Sequence, residues 1–129
     1  MNARLIFLIL IFVSKLNFYY SQTKEYTRTD VEAKELIEKI YKKLQNGESS
    51  FGTAARLYSD DKNSNVKGGE YDWTKKETFS KEFDKVVFEL KINEISAPFK
   101  IGNGYYIVQV LDKRENEIKL KLILITFNN

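Results

Sequence analysis

The 129-residue chain contains neither Cys nor His, and this narrows its chemistry at once. Ser-His-Asp and Cys-His nucleophilic sites are excluded, as are the commonest zinc ligand sets and any disulfide framework. What remains able to bond, titrate or grip is a set of carboxylates, lysines, tyrosine hydroxyls and apolar rings, with nine Phe, eight Tyr and one Trp among them. Phe79 and Phe83 lie four apart, which places both on one face of a helix. Asp61 sits in a turn-rich stretch, and Tyr71 and Tyr106 each carry a hydroxyl on a segment of strand character. Residue type alone offers ordinary explanations for all of these. Phe at helical spacing is core packing, Asp is common in turns, and Asn103 within Gly102-Asn103-Gly104 forms a turn. Trp73 reads as a packing residue. No basic cluster is placed to read a phosphate, and no nucleic-acid motif is present.

The elements that must position these groups can be read in order. Residues 1–21 have a basic start at Arg4, a short apolar run from Leu5 to Val13, and a small residue at Ser21. This is the plan of a secretory signal peptide, with removal expected near Ser21. The rival, a membrane anchor, is disfavoured because Lys15 ends a run of about half the ~20 residues that a spanning helix needs. Without Cys there is no site for a Cys-linked lipid. Removing Arg4 and Lys15 takes the 21 basic residues to 19 against 18 acidic ones, so the alkaline balance owes much to the leader.

Residues 22–129 then read as one α+β domain. The stretch 22–28 is polar and loose. Thr29 and Glu32 form a capping box, and Ala33, Leu36, Ile37, Ile40 and Leu44 follow at helical spacing up to a stop at Asn46-Gly47. A second helix is expected over 50–58 with Phe51, Ala54, Ala55 and Leu57 inward, an edge strand over 70–73, and a third helix over 79–90. Residues 92–99 hold a turn and a short strand, and Gly102-Asn103-Gly104 signals a hairpin. The strands 105–111 and 118–127 are the strongest. The second is apolar on both faces at Ile123, Leu124 and Ile125, so it is expected in the centre of its sheet.

Five segments in order resemble the parvulin rotamase domain, a family of peptidyl-prolyl cis–trans isomerases. They are Ala55 to Asp61, Gly68-Gly69-Glu70-Tyr71-Asp72-Trp73, Phe79 to Phe83, Glu94-Ile95-Ser96-Ala97-Pro98-Phe99, and Gly104 to Arg114. The resemblance implies a small antiparallel sheet with helices packed on it. It also exposes a departure. The family opens with a strand, often "H-I-L-I", that lies beside its last one, whereas 22–28 offers no apolar strand here. Lys121-Leu122-Ile123-Leu124-Ile125 resembles that strand but comes at the other end of the chain. The expectation is that the C-terminal strand fills the vacant place, as in a circular permutation. A hairpin centred on Arg114 would pair Tyr106 with Leu122. A swap into a second copy is the rival, and a closed monomer is favoured because the hairpin loop is short.

The resemblance further implies the roles of particular residues. Turning an X-Pro bond crosses a barrier of ~18–20 kcal/mol without making or breaking a bond. Gripping the ring and favouring the twisted amide is therefore sufficient chemistry, with no cofactor, metal or nucleophile. Phe79, Phe83 and Tyr71 match positions that cradle the proline, Asp61 a position near the substrate amide, and Asn103 a polar position on the rim. Tyr106 and Leu122 stand where the family often carries facing histidines. Leu122 cannot hydrogen-bond, whereas the Tyr106 hydroxyl has Asp61 within conceivable reach. The implied function is an exported isomerase or folding helper acting on proline-containing polypeptides, in a periplasm or outside the cell. It would bind no nucleic acid and would not insert stably in a membrane once the leader is removed. The rival readings are a peptide-holding module of the same fold that does not accelerate isomerisation, and an unrelated α+β adhesion or assembly protein.

Overall fold

The computed structural model describes residues 2–21 and 27–128. The expectation of a loose 22–28 segment therefore lies, for 22–26, outside the described residues. Helix α1 (Ala3–Ser21) carries the apolar run, with side chains from Leu5 to Val13 exposed. No helix among the described residues is long and apolar enough to cross a membrane.

Helix α2 (Asp30–Gln45) begins at the capping box that the sequence announces. The Thr29 hydroxyl accepts the Glu32 N–H at 3.3 Å, and the Glu32 carboxylate accepts the Thr29 N–H at 2.8 Å. Helix α3 (Phe51–Tyr58) is capped by Ser50. It turns Phe51, Ala54 and Ala55 inward, but Leu57 is 68% exposed. The expectation for Leu57 was wrong because, six residues on from Phe51 in a two-turn helix, it points away from the buried stripe. A 3₁₀ turn (Asn65–Lys67) leads into β1 (Glu70–Lys75). Helix α4 (Lys81–Glu89) starts later than expected, because the Ser80 hydroxyl accepts the Phe83 N–H and makes Ser80 the N-cap. Phe79 thus stands just outside the helix. Strands β2 (Phe99–Ile101), β3 (Gly104–Lys113) and β4 (Glu117–Thr126) complete the chain.

The four strands form one antiparallel sheet in the order β1-β4-β3-β2. The C-terminal strand is therefore interior, as its two apolar faces require. Ile123 and Ile125, with Tyr105 and Ile107 of β3, pack against α2 and α3. On the opposite face Leu120 and Leu122, with Val108 and Val110, pack against Phe83 and Val87 of α4. Each such buried side chain contributes about 1.5–3 kcal/mol, so neither face of β4 can be left uncovered.

The register differs from the expectation in an informative way. The Arg114 N–H donates to the Glu117 carbonyl at 2.9 Å, which makes Glu115-Asn116 the tight turn and moves the centre of the hairpin beyond Arg114. Leu111 is then an extra residue on β3, a bulge between the pairs Val110↔Leu120 and Asp112↔Lys119. As a result Tyr106 pairs with Leu124, and Leu122 pairs with Val108. The slip is two residues, so every side chain keeps the face that was expected of it.

Gly69 is the position where β4 is admitted. It has φ +84°, and a Cβ there would lie 2.5 Å from the Leu122 carbonyl oxygen and 3.1 Å from its nitrogen. Gly47 has a similar φ of +71° with nothing within 4 Å. We expect Gly47→Ala to cost only the left-handed backbone strain, about 1 kcal/mol. Gly69→Ala should cost that strain plus displacement of β4, at least about 2 kcal/mol. Urea unfolding of both variants checks this, and equal losses would show that β4 is not held against Gly69.

Candidate functional site

Five rings meet on the α4 face of the sheet. Phe79, folded back across the Ser80 cap, lies 4.5 Å from Phe83 between centroids. Tyr71 meets Phe79 edge-on at 5.5 Å. Its partner in the ladder is Leu120, which places both on this face. From the other side Tyr106 approaches Phe83 edge-on at 5.8 Å, and Phe99 approaches it at 5.9 Å. Phe99 and Tyr106 are paired across β2 and β3 and stack at 5.6 Å. Phe83 and Val108 are buried at the bottom, while Tyr71, Phe79, Phe99 and Tyr106 are only partly buried around them. The arrangement is an apolar floor with an aromatic rim that still meets water. Such ring pairs add about 0.5–1.5 kcal/mol each beyond their buried area.

The structure thus brings Tyr71, Phe79, Phe83 and Tyr106 together and adds Phe99. Phe99 falls within a quoted motif, but only the β2–β3 register shows that its ring shares a face with Tyr106. Leu122 is 3% exposed and belongs to the core beneath the rings. The residue facing Tyr106 across the ladder is Leu124. Asn103 is exposed in the β2–β3 turn, and its carbonyl accepts the Phe127 N–H at 3.0 Å. Trp73 stands apart, with the Arg114 guanidinium 3.8 Å over its ring. An open groove of about 700 Å³ lies elsewhere, between Lys75-Lys76-Glu77 and the hairpin turn around Glu115-Asn116.

The polar side of the cluster is built on Asp61, which is buried. Its carboxylate accepts the Ser64 hydroxyl at 2.5 Å, the Tyr71 hydroxyl at 2.7 Å and the Asn63 N–H at 3.3 Å. Among the described residues, Tyr106 is not one of its donors. The hydroxyl that reaches Asp61 is that of Tyr71, on the strand next to the loop. Burial, and then the bond to the Asp61 carboxylate, push the Tyr71 phenol up to about 12. Burial followed by the Asp61 charge raises that of Tyr106. The neighbouring Asp60 faces the other way and anchors β4. It accepts the Arg28 guanidinium at 2.5 Å and the Thr126 N–H at 2.8 Å. The sequence marks 59–65 as a turn-rich stretch and the resemblance singles out Asp61 within it, but the task of Asp60 next to it leaves no trace in composition.

A phenol raised above its ordinary pKa of ~10 favours folding while it is neutral. Its contribution is complete below about pH 10 and fades as pH rises toward about 12. Tyr71→Phe should therefore be less stable than the parent by about 1 kcal/mol at pH 8, a modest value because the phenol is partly exposed. The gap should close between pH 10 and 12. Denaturant unfolding across that range checks it, and a gap that does not change with pH would refute the Tyr71–Asp61 bond.

Comparison with known proteins identifies the family. The rotamase family model, the PPIC-type PPIase domain, matches residues 11–112 and so ends before β4 begins. Chaperone SurA of Hahella chejuensis is 39% identical over 110 residues, covering 85% of this chain and 25% of that protein. Chaperone SurA of Shewanella denitrificans is 36% identical over 85 residues, covering 66% and 20%. For chaperone SurA of Pseudomonas aeruginosa the values are 34% over 90 residues, covering 70% and 21%. This chain therefore spans only about a fifth to a quarter of the length of these relatives. With a match over most of its length and a sheet and helices of the expected kind, the chain belongs to the PPIC-type, or parvulin, family of peptidyl-prolyl cis–trans isomerase domains.

Proposed function

We propose that this domain grips proline in its aromatic cluster and speeds cis–trans isomerisation of X-Pro bonds in other exported polypeptides. The observation that carries the reading is the meeting of Tyr71, Phe79, Phe83 and Tyr106 around a buried floor, beside the buried carboxylate of Asp61. A pyrrolidine ring is apolar and compact enough to rest against the partly exposed rings of Tyr71, Phe79 and Tyr106 above the buried Phe83, and its flanking amide would then stand near the rim. Twisting that amide reduces its charge separation, so a site poor in water favours the twisted form over the planar one. The uncatalysed event takes tens to hundreds of seconds, which leaves ample room for acceleration by contact alone. Phe79, Phe83 and Tyr71 would hold the ring, and Asp61 and Tyr106 would face the amide.

A second reading is favoured by one specific observation. Leu124, an apolar residue, faces Tyr106 in the ladder, and Tyr106 does not donate to Asp61. A site whose polar network reaches Tyr71 but not Tyr106 would suit a module that holds proline segments without hastening their isomerisation, in keeping with the name chaperone borne by the relatives. The proposed export rests on the leader reading of residues 1–21, with release near Ser21 and a destination beyond the cytoplasmic membrane.

A protease-coupled isomerisation assay on a short X-Pro peptide distinguishes the two. Acceleration by the parent should fall about tenfold or more in Phe79→Ala, which alters the partly exposed rim and leaves the floor intact. Phe83→Ala should abolish it but also costs about 3–5 kcal/mol of stability, so the rim variant carries the test. Peptide binding with no acceleration by the folded parent establishes the holding module, and neither binding nor acceleration sinks both. For the leader, mass measurement of the protein recovered from a secreting host should show loss of residues 1–21, and an intact N-terminus would refute it.

A further inference from the structure

Beside the rings, the firmest geometry belongs to a serine. Ser64 lies in a polar loop, where a serine usually faces water, yet it is fully buried. A buried hydroxyl without a partner costs on the order of 1–3 kcal/mol, so its bonds reveal why it is there. Its Oγ donates to Asp61 Oδ2 at 2.5 Å, and the same oxygen receives the Tyr71 hydroxyl at 2.7 Å. Ser64 is itself held tightly. Its N–H donates to the Asp61 carbonyl at 3.2 Å, and its own carbonyl accepts the N–H groups of Lys67 at 2.9 Å and Gly69 at 2.8 Å. The Gly69 carbonyl accepts the Leu122 N–H at 2.9 Å. An unbroken series of bonds thus runs from the middle of β4 through Gly69 and Ser64 to Asp61. It continues through the Tyr71 hydroxyl to a ring 5.5 Å from Phe79.

We infer that Ser64 is a positioning residue, fixing the Asp61 carboxylate and through it holding the Tyr71 ring as one wall of the proline-gripping cluster. The inference rests on the isomerase reading above and adds to it a way for the site to stay ordered without a pair of histidines. A carboxylate offers only acceptors, so left alone in this loop it would rotate among its lone pairs. Two hydroxyls converging on one oxygen, with the Asn63 N–H on the other, leave it a single orientation. A loop that merely closed on itself would need Ser64 and Asp61 but no hydroxyl from β1. It is the Tyr71 bond that ties the loop to the rings.

The test uses the full chain with ring-labelled tyrosine and the variant Ser64→Ala. Nuclear magnetic resonance reads the flipping rate of the Tyr71 ring, and the isomerisation assay reads kcat and KM at equal folded fraction. We expect Tyr71 to flip at least about tenfold faster in the variant while Tyr105, on the opposite face, is unchanged. In the assay kcat should fall about fivefold to tenfold with KM within about twofold, the pattern of lost orientation rather than lost binding. Should Ser64→Ala not fold, Ser64→Cys keeps nearly the same volume and replaces a strong donor with a weak one. Unchanged Tyr71 flipping in a folded variant overturns the inference whatever the activity. A parent with no isomerase activity sinks the reading it rests on, and the ring measurement still decides what Ser64 does.

Discussion

A strand inside its sheet, with both faces covered around Leu122 to Ile125, has little water to satisfy its backbone, so the N–H and C=O groups of β4 must find partners inside the domain. On one side β3 supplies them from Gly104↔Thr126 to Lys113↔Ile118. On the other side β1 is too short to do so, pairing only from Glu117 to Lys121. Beyond it the loop takes over. Gly69 accepts the Leu122 N–H, the Ser59 hydroxyl accepts the Leu124 N–H, and the Asp60 N–H donates to the Leu124 carbonyl. The Asp60 carboxylate then receives the Thr126 N–H. The polar loop 59–69 is in effect the missing length of strand, and its fixed shape follows from that duty.

The candidate site is a by-product of the same constraint. Because Ser59, Asp60 and Gly69 are pinned to β4, the intervening Asp61 and Ser64 are held in place and buried against the first residues of β1. Tyr71 closes the arrangement from that strand. On the other flank, β2 and β3 set Phe99 and Tyr106 side by side, and the helix cap at Ser80 turns Phe79 back onto Phe83. Four separate elements supply rings to one patch, and the contacts that join its two halves, Phe83 with Phe99 and with Tyr106, are distant in sequence.

The chemistry open to such a patch is limited and consistent. With no thiol and no imidazole in the chain, attack by Cys and proton relay through His are excluded. Shape, dryness and a fixed carboxylate remain, and turning a prolyl bond is one of the few reactions for which these suffice.

Much of this is legible in the sequence. The capping box, the helical stripe of α2, the two apolar faces of 123–125 and the Gly68-Gly69 signal are short-range patterns. They read out directly because propensity, capping and alternation act within a few residues. The interior position of β4 followed from the same alternation, and so did the face on which Tyr106 and the leucines lie. The exact partner of Tyr106 did not, because a bulge at Leu111 and a turn at Glu115-Asn116 are settled by packing on both sides of the hairpin. Nor did the inclusion of Phe99, the withdrawal of Leu122 into the core, or the division of labour between Asp60 and Asp61. Sequence by itself determined which faces are apolar and which segments are strands or helices. Tertiary structure alone decided which side chains meet, since contacts between residues far apart in the chain depend on register and strand order, and neither is written in any single segment.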